Sequence, residues 1–235
     1  MKTLIINGSP KGNSSESNSK LIADAFIRKM KEPCEIRAIA NENIKELAIY
    51  AKSFDSIIVV MPLYIHAMPG IVMRFFENLE GDPTHTKRIG FIIQSGFLET
   101  AQQKYLKAYL EVFSRQLNYQ YLGCVSKGEA AGIYTNPWLF RKVFKQLNDL
   151  GIYYEETYTF DHIIMRHLEK PYVISKQILF VLKLMEDLGL SKIWWHKLMK
   201  KNGALDMHLD KPFQKPIREI LNPLVIKERY NFENI

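Results

Sequence analysis

Lys2-Thr3-Leu4-Ile5-Ile6-Asn7-Gly8-Ser9-Pro10-Lys11-Gly12-Asn13-Ser14-Ser15-Glu16-Ser17-Asn18-Ser19 decides the fold. A short apolar run breaks into a loop crowded with hydroxyls and amides, and the loop leads into a helical pattern with Leu21, Ile22, Ala25, Phe26 and Met30 on one face. The apolar run is far below the ~7–15 residues of a secretory signal, so Lys2–Asn7 reads as a first β-strand. The order strand, polar loop, helix is the opening half of a βαβ unit.

Outward from this unit the alternation continues. Strands are expected at Glu35–Ile39, Ser56–Met61, Ile89–Gln94 and Tyr121–Ser126. Ser56–Met61 is the most hydrophobic, with Ile57–Met61 apolar throughout, as expected of a central strand covered on both faces. Crossover helices are expected around Ile44–Ala51, from Pro69-Gly70 onward, and over Thr100–Leu117, with Pro69 in a helix's first turn. Five strands with four right-handed crossovers suit a doubly wound parallel sheet of order 2-1-3-4-5. A covering helix is expected at about Pro137–Leu150, then a tail mostly helical by pattern (Asp161–His167, Val173–Leu188, Ser191–Lys201). The division expected is residues 1–155 as the sheet domain and 156–235 as a helical extension packed on it.

Composition bounds the function. The 235 residues are 47% hydrophobic and 24% charged, an ordinary globular balance, with a formal charge of +7. Lysines and arginines are interleaved with acids rather than clustered, so no nucleic-acid partner is expected, and the charge suits steering of anionic small molecules. No apolar run approaches the ~20 residues of a spanning helix, so a cytoplasmic protein without a transmembrane segment is expected. Cys34 and Cys124 lack metal-ligand spacing and fall on the second and fifth strands, at opposite sheet edges. They are expected to be two buried, unpaired thiols. His162 and His167 are five apart, which is wrong for a helical metal pair, so no metal is expected.

In such a sheet, ligands sit beyond the carboxyl ends of the strands, at the switch point. The loop after strand one is a candidate anion site, because free N–H groups and the helix dipole favour negative charge there. It carries neither GxxxxGK[ST] nor GxGxxG. A solvated turn that merely caps the helix is the plainer reading. After strand three comes Met61-Pro62-Leu63-Tyr64-Ile65-His66-Ala67-Met68-Pro69-Gly70, which suits a flat aromatic ligand or simply a rigid connection. After strand four, Gln94-Ser95-Gly96-Phe97 offers donors and a small residue.

GSPKGNSSESNS and MPLYIHAMPGIVMRFFENL together resemble the NADPH-dependent FMN reductase family of flavodoxin-like proteins, over about residues 1–130. The resemblance implies a flavodoxin-like fold, FMN as cofactor and NADH or NADPH as donor. It implies that Ser9, Lys11, Asn18 and Ser19, in a loop that includes Ser17, hold the FMN phosphate. It implies that Pro62, Leu63, Tyr64, Ile65 and His66 line the isoalloxazine and ribityl chain, and that Ser95 and Gly96 border the ring. Backbone donors around Ser95–Phe97 would face the charge of reduced flavin. The cysteine motif of the family's iron–sulfur branch is missing. The activity implied is an oxidoreductase that passes electrons from a nicotinamide to a small-molecule acceptor such as a quinone, nitroaromatic, azo compound or free flavin. The flavin performs the chemistry, so no catalytic side chain is assigned. His66 is a candidate for proton transfer, although a lone histidine is more often a contact residue.

A one-electron carrier of flavodoxin type and a non-enzymatic module on the same fold are the alternatives, and the basic charge argues against the carrier. A homodimer is the expected assembly. The basic, aromatic stretch Trp194-Trp195-His196-Lys197 with Lys200 and Lys201 reads as a packed helix with a solvated face, a dimer contact, a membrane-surface helix or a lid.

Overall fold

Each apolar run identified above forms a strand, and the strands lie side by side because only a sheet satisfies the backbone groups of segments buried on both faces. The structure, a computed structural model, describes residues 1–205 of the chain. The strands are β1 (Thr3–Asn7), β2 (Glu35–Ala38), β3 (Ser56–Pro62), β4 (Arg88–Gln94) and β5 (Gln120–Lys127). All pairings are parallel, and the order is β2-β1-β3-β4-β5. This is the doubly wound sheet that the alternation predicts.

The helices are α1 (Asn18–Ile27), α2 (Ile44–Ala51), α3 (Gly70–Glu77), α4 (Lys104–Gln116), α5 (Arg141–Thr157) and α6 (His162–Leu168). The period-2 alternation of the strands sorts the core into two layers. Leu4, Ile6, Val59, Phe91 and Ile93 face α2, α3 and α4, with Phe75 and Phe113. Ile5, Ile58, Val60, Ile92 and Val125 face α1, α5 and α6, with Phe26 and Tyr154. Nearly all of these side chains are excluded from water, each contributing about 1.5–3 kcal/mol. α1 and α5 approach closely at Gly151, where a Cβ would stand 1.9 Å from the Phe26 carbonyl oxygen.

Where elements start differently from the sequence reading, the cause is local. Thr100–Gln103 and Pro137–Phe140 wind as 3₁₀ turns before their α-helices begin at Lys104 and Arg141. α5 continues past Leu150 to Thr157 because its inward face, Leu147, Leu150 and Tyr154, remains buried. Cys124 is buried on β5, whereas Cys34 is only half-buried, just ahead of β2, so the expectation of two buried thiols holds for one. Both are free, and desolvation pushes their pKa values up, to about 11 for Cys34 and about 12 for Cys124.

Met1–Ile174 forms one compact unit, and a second begins at Ser175. The second contains α7 (Lys176–Asp187) and α8 (Leu190–Lys201). α7 starts three residues later than Val173 because the Ser175 hydroxyl caps it, accepting from the Ile178 N–H. The part of the expected helical extension beyond residue 205 lies outside the described residues. Among the described residues, no helix is long and apolar enough to cross a membrane.

Candidate functional site

β1 and β3 are neighbours, yet the chain leaves β1 towards β2. Their carboxyl ends therefore open a crevice at the switch point. The loop after β1 enters that crevice folded on a side chain that the sequence reading passed over. Asn7 is fully buried; its carboxamide oxygen accepts from the Ser9 N–H (3.0 Å) and its Nδ2 donates to the Gly12 carbonyl (2.8 Å). Successive turns follow, Gly12 N–H to Ser9 O, Ser14 N–H to Lys11 O and Ser17 N–H to Ser14 O. Gly12 is at φ +53, and a Cβ there would lie 2.2 Å from Asn41 Oδ1, so the position suits glycine alone.

This path delivers the chain to Ser17, whose buried hydroxyl caps α1 by accepting from the Lys20 N–H (3.3 Å). The N–H groups of Asn18 and Ser19 then have no acceptor among the described residues. No acidic residue lies in the first turn of α1 to neutralise the positive end of the dipole. Ser9 is buried and its Oγ accepts from the Lys11 N–H (3.2 Å). Lys11 Nζ stands 3.5 Å from a Glu16 carboxylate oxygen and 5.1 Å from the centre of the Tyr134 ring. Both members of that ion pair are about half exposed, so the pair contributes at most ~1 kcal/mol.

The Asn18 side chain is committed elsewhere. Its Nδ2 donates to the Ala130 carbonyl (2.7 Å) and its Oδ1 accepts from the Tyr134 N–H (3.1 Å), so it ties the loop after β5 to α1. What Asn18 offers the cleft is its backbone. Ser19 is fully buried, with its Oγ accepting at long range from Gln94 Nε2 (3.5 Å).

The opposite wall is built differently. The Leu63 N–H donates to the Gln94 carbonyl and extends the β3–β4 ladder by one residue. Tyr64 and Ala67 then exchange both backbone bonds (2.8 and 3.0 Å), closing a two-residue turn around Ile65 (φ 47) and His66 (φ 64). Two positive φ values define a type I′ turn, which favours Asn-Gly. A β-branched isoleucine there is strained by about 1–3 kcal/mol, and at 91% exposure Ile65 gains little from packing in return. His66 Nδ1 meets the Gln102 carbonyl (3.2 Å), so Nδ1 carries the hydrogen, and the ring stacks beside Phe97 (6.2 Å between centroids, 9° between planes).

At the end of β4 the Ser95 N–H donates to the Lys127 carbonyl, while the carbonyls of Ser95 and Phe97 accept from Ala130 and Glu129. The N–H groups of Gly96 and Phe97 have no acceptor among the described residues. Buried Gln103 donates from Nε2 to Ser95 Oγ and to the Lys127 carbonyl (3.3 Å each). The Ser95 hydroxyl thus keeps its own hydrogen to give, and Gln103 Oε1 is left buried without a partner. Lys127 itself is buried. Desolvation pulls its pKa down, partly opposed by Glu129 at 3.9 Å.

The three segments enclose one cleft. Ser9, Lys11, Asn18, Pro62, Leu63, Tyr64, Ser95 and Gly96 line it, as the sequence places them. Ser17 and Ser19 lie buried behind this lining. Ile65, His66 and Phe97 are outside it, on the turn and loop beside it. Glu16, Gln94, Ala131 and Tyr134 also line the cleft and were not selected from sequence. The rule that ligands gather at strand carboxyl ends pointed to the loop after β5, which carries Ala131 and Tyr134, but no motif marks it. Among the described residues, no group of three or more His, Cys, Asp or Glu is placed to hold a metal ion.

Sheet order, helix placement and a cleft at the β1/β3 switch point define a flavodoxin-like α/β protein. No family model matches the chain, and no curated protein matches it in sequence. Solved structures do share its fold. An apo NADH:FMN oxidoreductase (EmoB) is 16% identical, with 72% of this chain and 96% of that one covered and a TM-score of 0.52. RosB, with bound 8-demethyl-8-formylriboflavin-5′-phosphate, is 12% identical, with 80% and 87% covered and a TM-score of 0.51. A flavone reductase is 13% identical, with 67% and 64% covered and a TM-score of 0.50. At these identities the likeness is one of fold, the flavodoxin-like fold.

Proposed function

We propose that the chain is an FMN-dependent NAD(P)H oxidoreductase acting on a small acceptor such as a quinone, nitroaromatic, azo compound or free flavin. The observation that carries the reading is one cleft with two chemically different ends. One end presents the Asn18 N–H, which has no acceptor among the described residues, beside Ser9 and Lys11, with the Ser19 N–H next to it in the first turn of α1. The other presents Pro62, Leu63 and Tyr64 opposite the Ser95 hydroxyl and the free Gly96 N–H. A phosphate monoester fits the first end and a flat heteroaromatic edge the second.

FMN, when bound, supplies hydride acceptance from NADH or NADPH and electron release to the acceptor. The chain's residues bind and orient. Lys11 and the two helix N–H groups hold the phosphate, which takes Lys11 from Glu16. The Ser95 hydroxyl, kept in donor sense by Gln103, and the Gly96 and Phe97 N–H groups hold the polar edge of the ring system. Ile65 and His66 border the ring as the sequence motif implies, with His66 a contact residue. A cytoplasmic homodimer is the assembly that goes with this reading.

The test is to load the purified chain with FMN, remove the excess and titrate NADH or NADPH anaerobically. Retained flavin absorbance that bleaches on titration supports the reading. A chain that retains no flavin, with Lys11→Ala changing nothing that binds, overturns it. Retained flavin that no nicotinamide reduces would leave a carrier.

A further inference from the structure

α7 is apolar around most of its circumference. Ile178, Leu179, Phe180, Val181, Leu184 and Met185 are each 42–69% exposed, and none of the helix's residues is buried. Lys176, Lys183 and Asp187 share one narrow arc, with Glu186 to one side of it beyond Leu179. A helix that is apolar over so wide an arc calls for a partner or a lipid phase. α8 follows with Lys192, Lys197, Lys200 and Lys201, without a single acidic residue, and with Trp195 54% exposed. Across Lys176–Lys201 there are six lysines and two carboxylates.

We infer that α7 and α8 dock the protein on an anionic lipid surface. Three observations favour lipid over a second copy of the chain. Charge complementarity is the first: a lysine-bearing helix without acids suits anionic headgroups. A twofold self-contact through α8 would instead set like charges against each other. Second, tryptophan next to lysine on one short helix is the composition of a headgroup-level segment. Third, α7 at 12 residues is about 18 Å long, too short to cross a hydrocarbon core of ~30 Å, and so lies in the plane of the interface. The inference stands apart from the flavin reading. With that reading it would bring the cleft to lipid-soluble acceptors.

The experiment is flotation of the full chain with phosphatidylcholine vesicles, with and without phosphatidylglycerol, beside light scattering in lipid-free buffer. The chain is expected to float with the anionic vesicles and to bind neutral ones about tenfold less. It should also be released at ~1 M salt, where the screening length is about 3 Å. Lys197→Glu with Lys200→Glu, both on exposed positions, is expected to lose about tenfold on anionic vesicles. Phe180→Ser is expected to weaken binding to either vesicle without changing the melting of the sheet unit. Equal binding to both vesicle types, binding to neither, or lysine variants that bind as the parent does would overturn the inference. A lipid-free dimer that Phe180→Ser converts to monomer would also overturn it and assign the face to a second copy.

Discussion

The two walls of the cleft store free energy in opposite ways. On the β1 wall, Asn7 bonds at both ends, Gly12 occupies the conformation it alone suits, and Ser17 caps its helix. Beside and behind the other wall, Ile65 and His66 occupy a turn made for Asn-Gly, Gln103 Oε1 is buried without a partner among the described residues, and Lys127 is a buried cation. The first wall is relaxed before any ligand arrives. The second carries strain, and strained conformations concentrate where a ligand or a motion later uses them. Under the proposed function the contrast would separate two jobs: a prebuilt anion cradle would need no rearrangement, while a surface that met a ring and exchanged substrates would benefit from being able to move.

The largest effect should come from breaking the relaxed wall. Asn7→Leu removes both struts and leaves the Ser9 N–H and Gly12 carbonyl unpaired in a buried place. A stability loss of about 2–4 kcal/mol is expected in urea unfolding. FMN affinity, read by quenching of flavin fluorescence, should fall about a hundredfold as the loop loses its path. A wild-type affinity in this variant would show that the loop folds without Asn7. Next in size is the cation. Lys11→Ala should weaken FMN about tenfold. Glu16→Gln should instead strengthen it a few-fold, because under the proposed function Glu16, 3.5 Å from Lys11, would compete with the phosphate. Equal losses in both variants would mean that the pair acts as a structural unit rather than as rivals.

Most of the fold was legible because the strands are short apolar runs set apart by polar loops, and their number and crossovers leave few topologies. Thr3–Asn7 and Ser56–Pro62 are found within a residue of their expected spans. The loop motifs likewise led to eight of the residues that line the cleft. What was not legible depends on the path of the chain. Asn7 ends a strand, and nothing in its neighbours says that its carboxamide turns back on Gly12. Asn18 reads as a phosphate ligand from its place in the loop, yet its side chain reaches across to Ala130 and Tyr134, more than a hundred residues away. Ile65-His66 lacks every turn signal, because turn chemistry disfavours a β-branched residue at positive φ and the structure uses one regardless.

A smaller effect tests the strained wall. Replacing Ile65-His66 by Asn-Gly suits the same turn and should stabilise the protein by about 1 kcal/mol, a rise of roughly 2–4 °C in Tm for a chain of this size. Flavin affinity and turnover separate the two uses of strain. If the turn only borders the ring, affinity is unchanged; if it must move for substrate exchange, turnover falls while affinity holds. No change in Tm would show that the observed turn costs nothing, and the asymmetry between the walls would lose its main support.

The smallest effect is the titration of Lys127. Burial lowers its pKa below the ordinary lysine value of 10.5. The unfolded chain therefore binds this proton more tightly than the folded one does. Keeping the ammonium buried costs stability at neutral pH, and that cost is relieved as the pH rises through the lowered pKa towards 10.5. Lys127→Met keeps the stem and removes the charge, so the variant should melt higher than the parent near pH 7, with the gap narrowing under alkaline conditions. The backbone carbonyl that receives the Ser95 and Gln103 bonds is untouched by the substitution. A variant that is less stable at every pH would mean that the Glu129 contact at 3.9 Å outweighs desolvation. The buried cation would then belong with the relaxed features of the site instead of the strained ones.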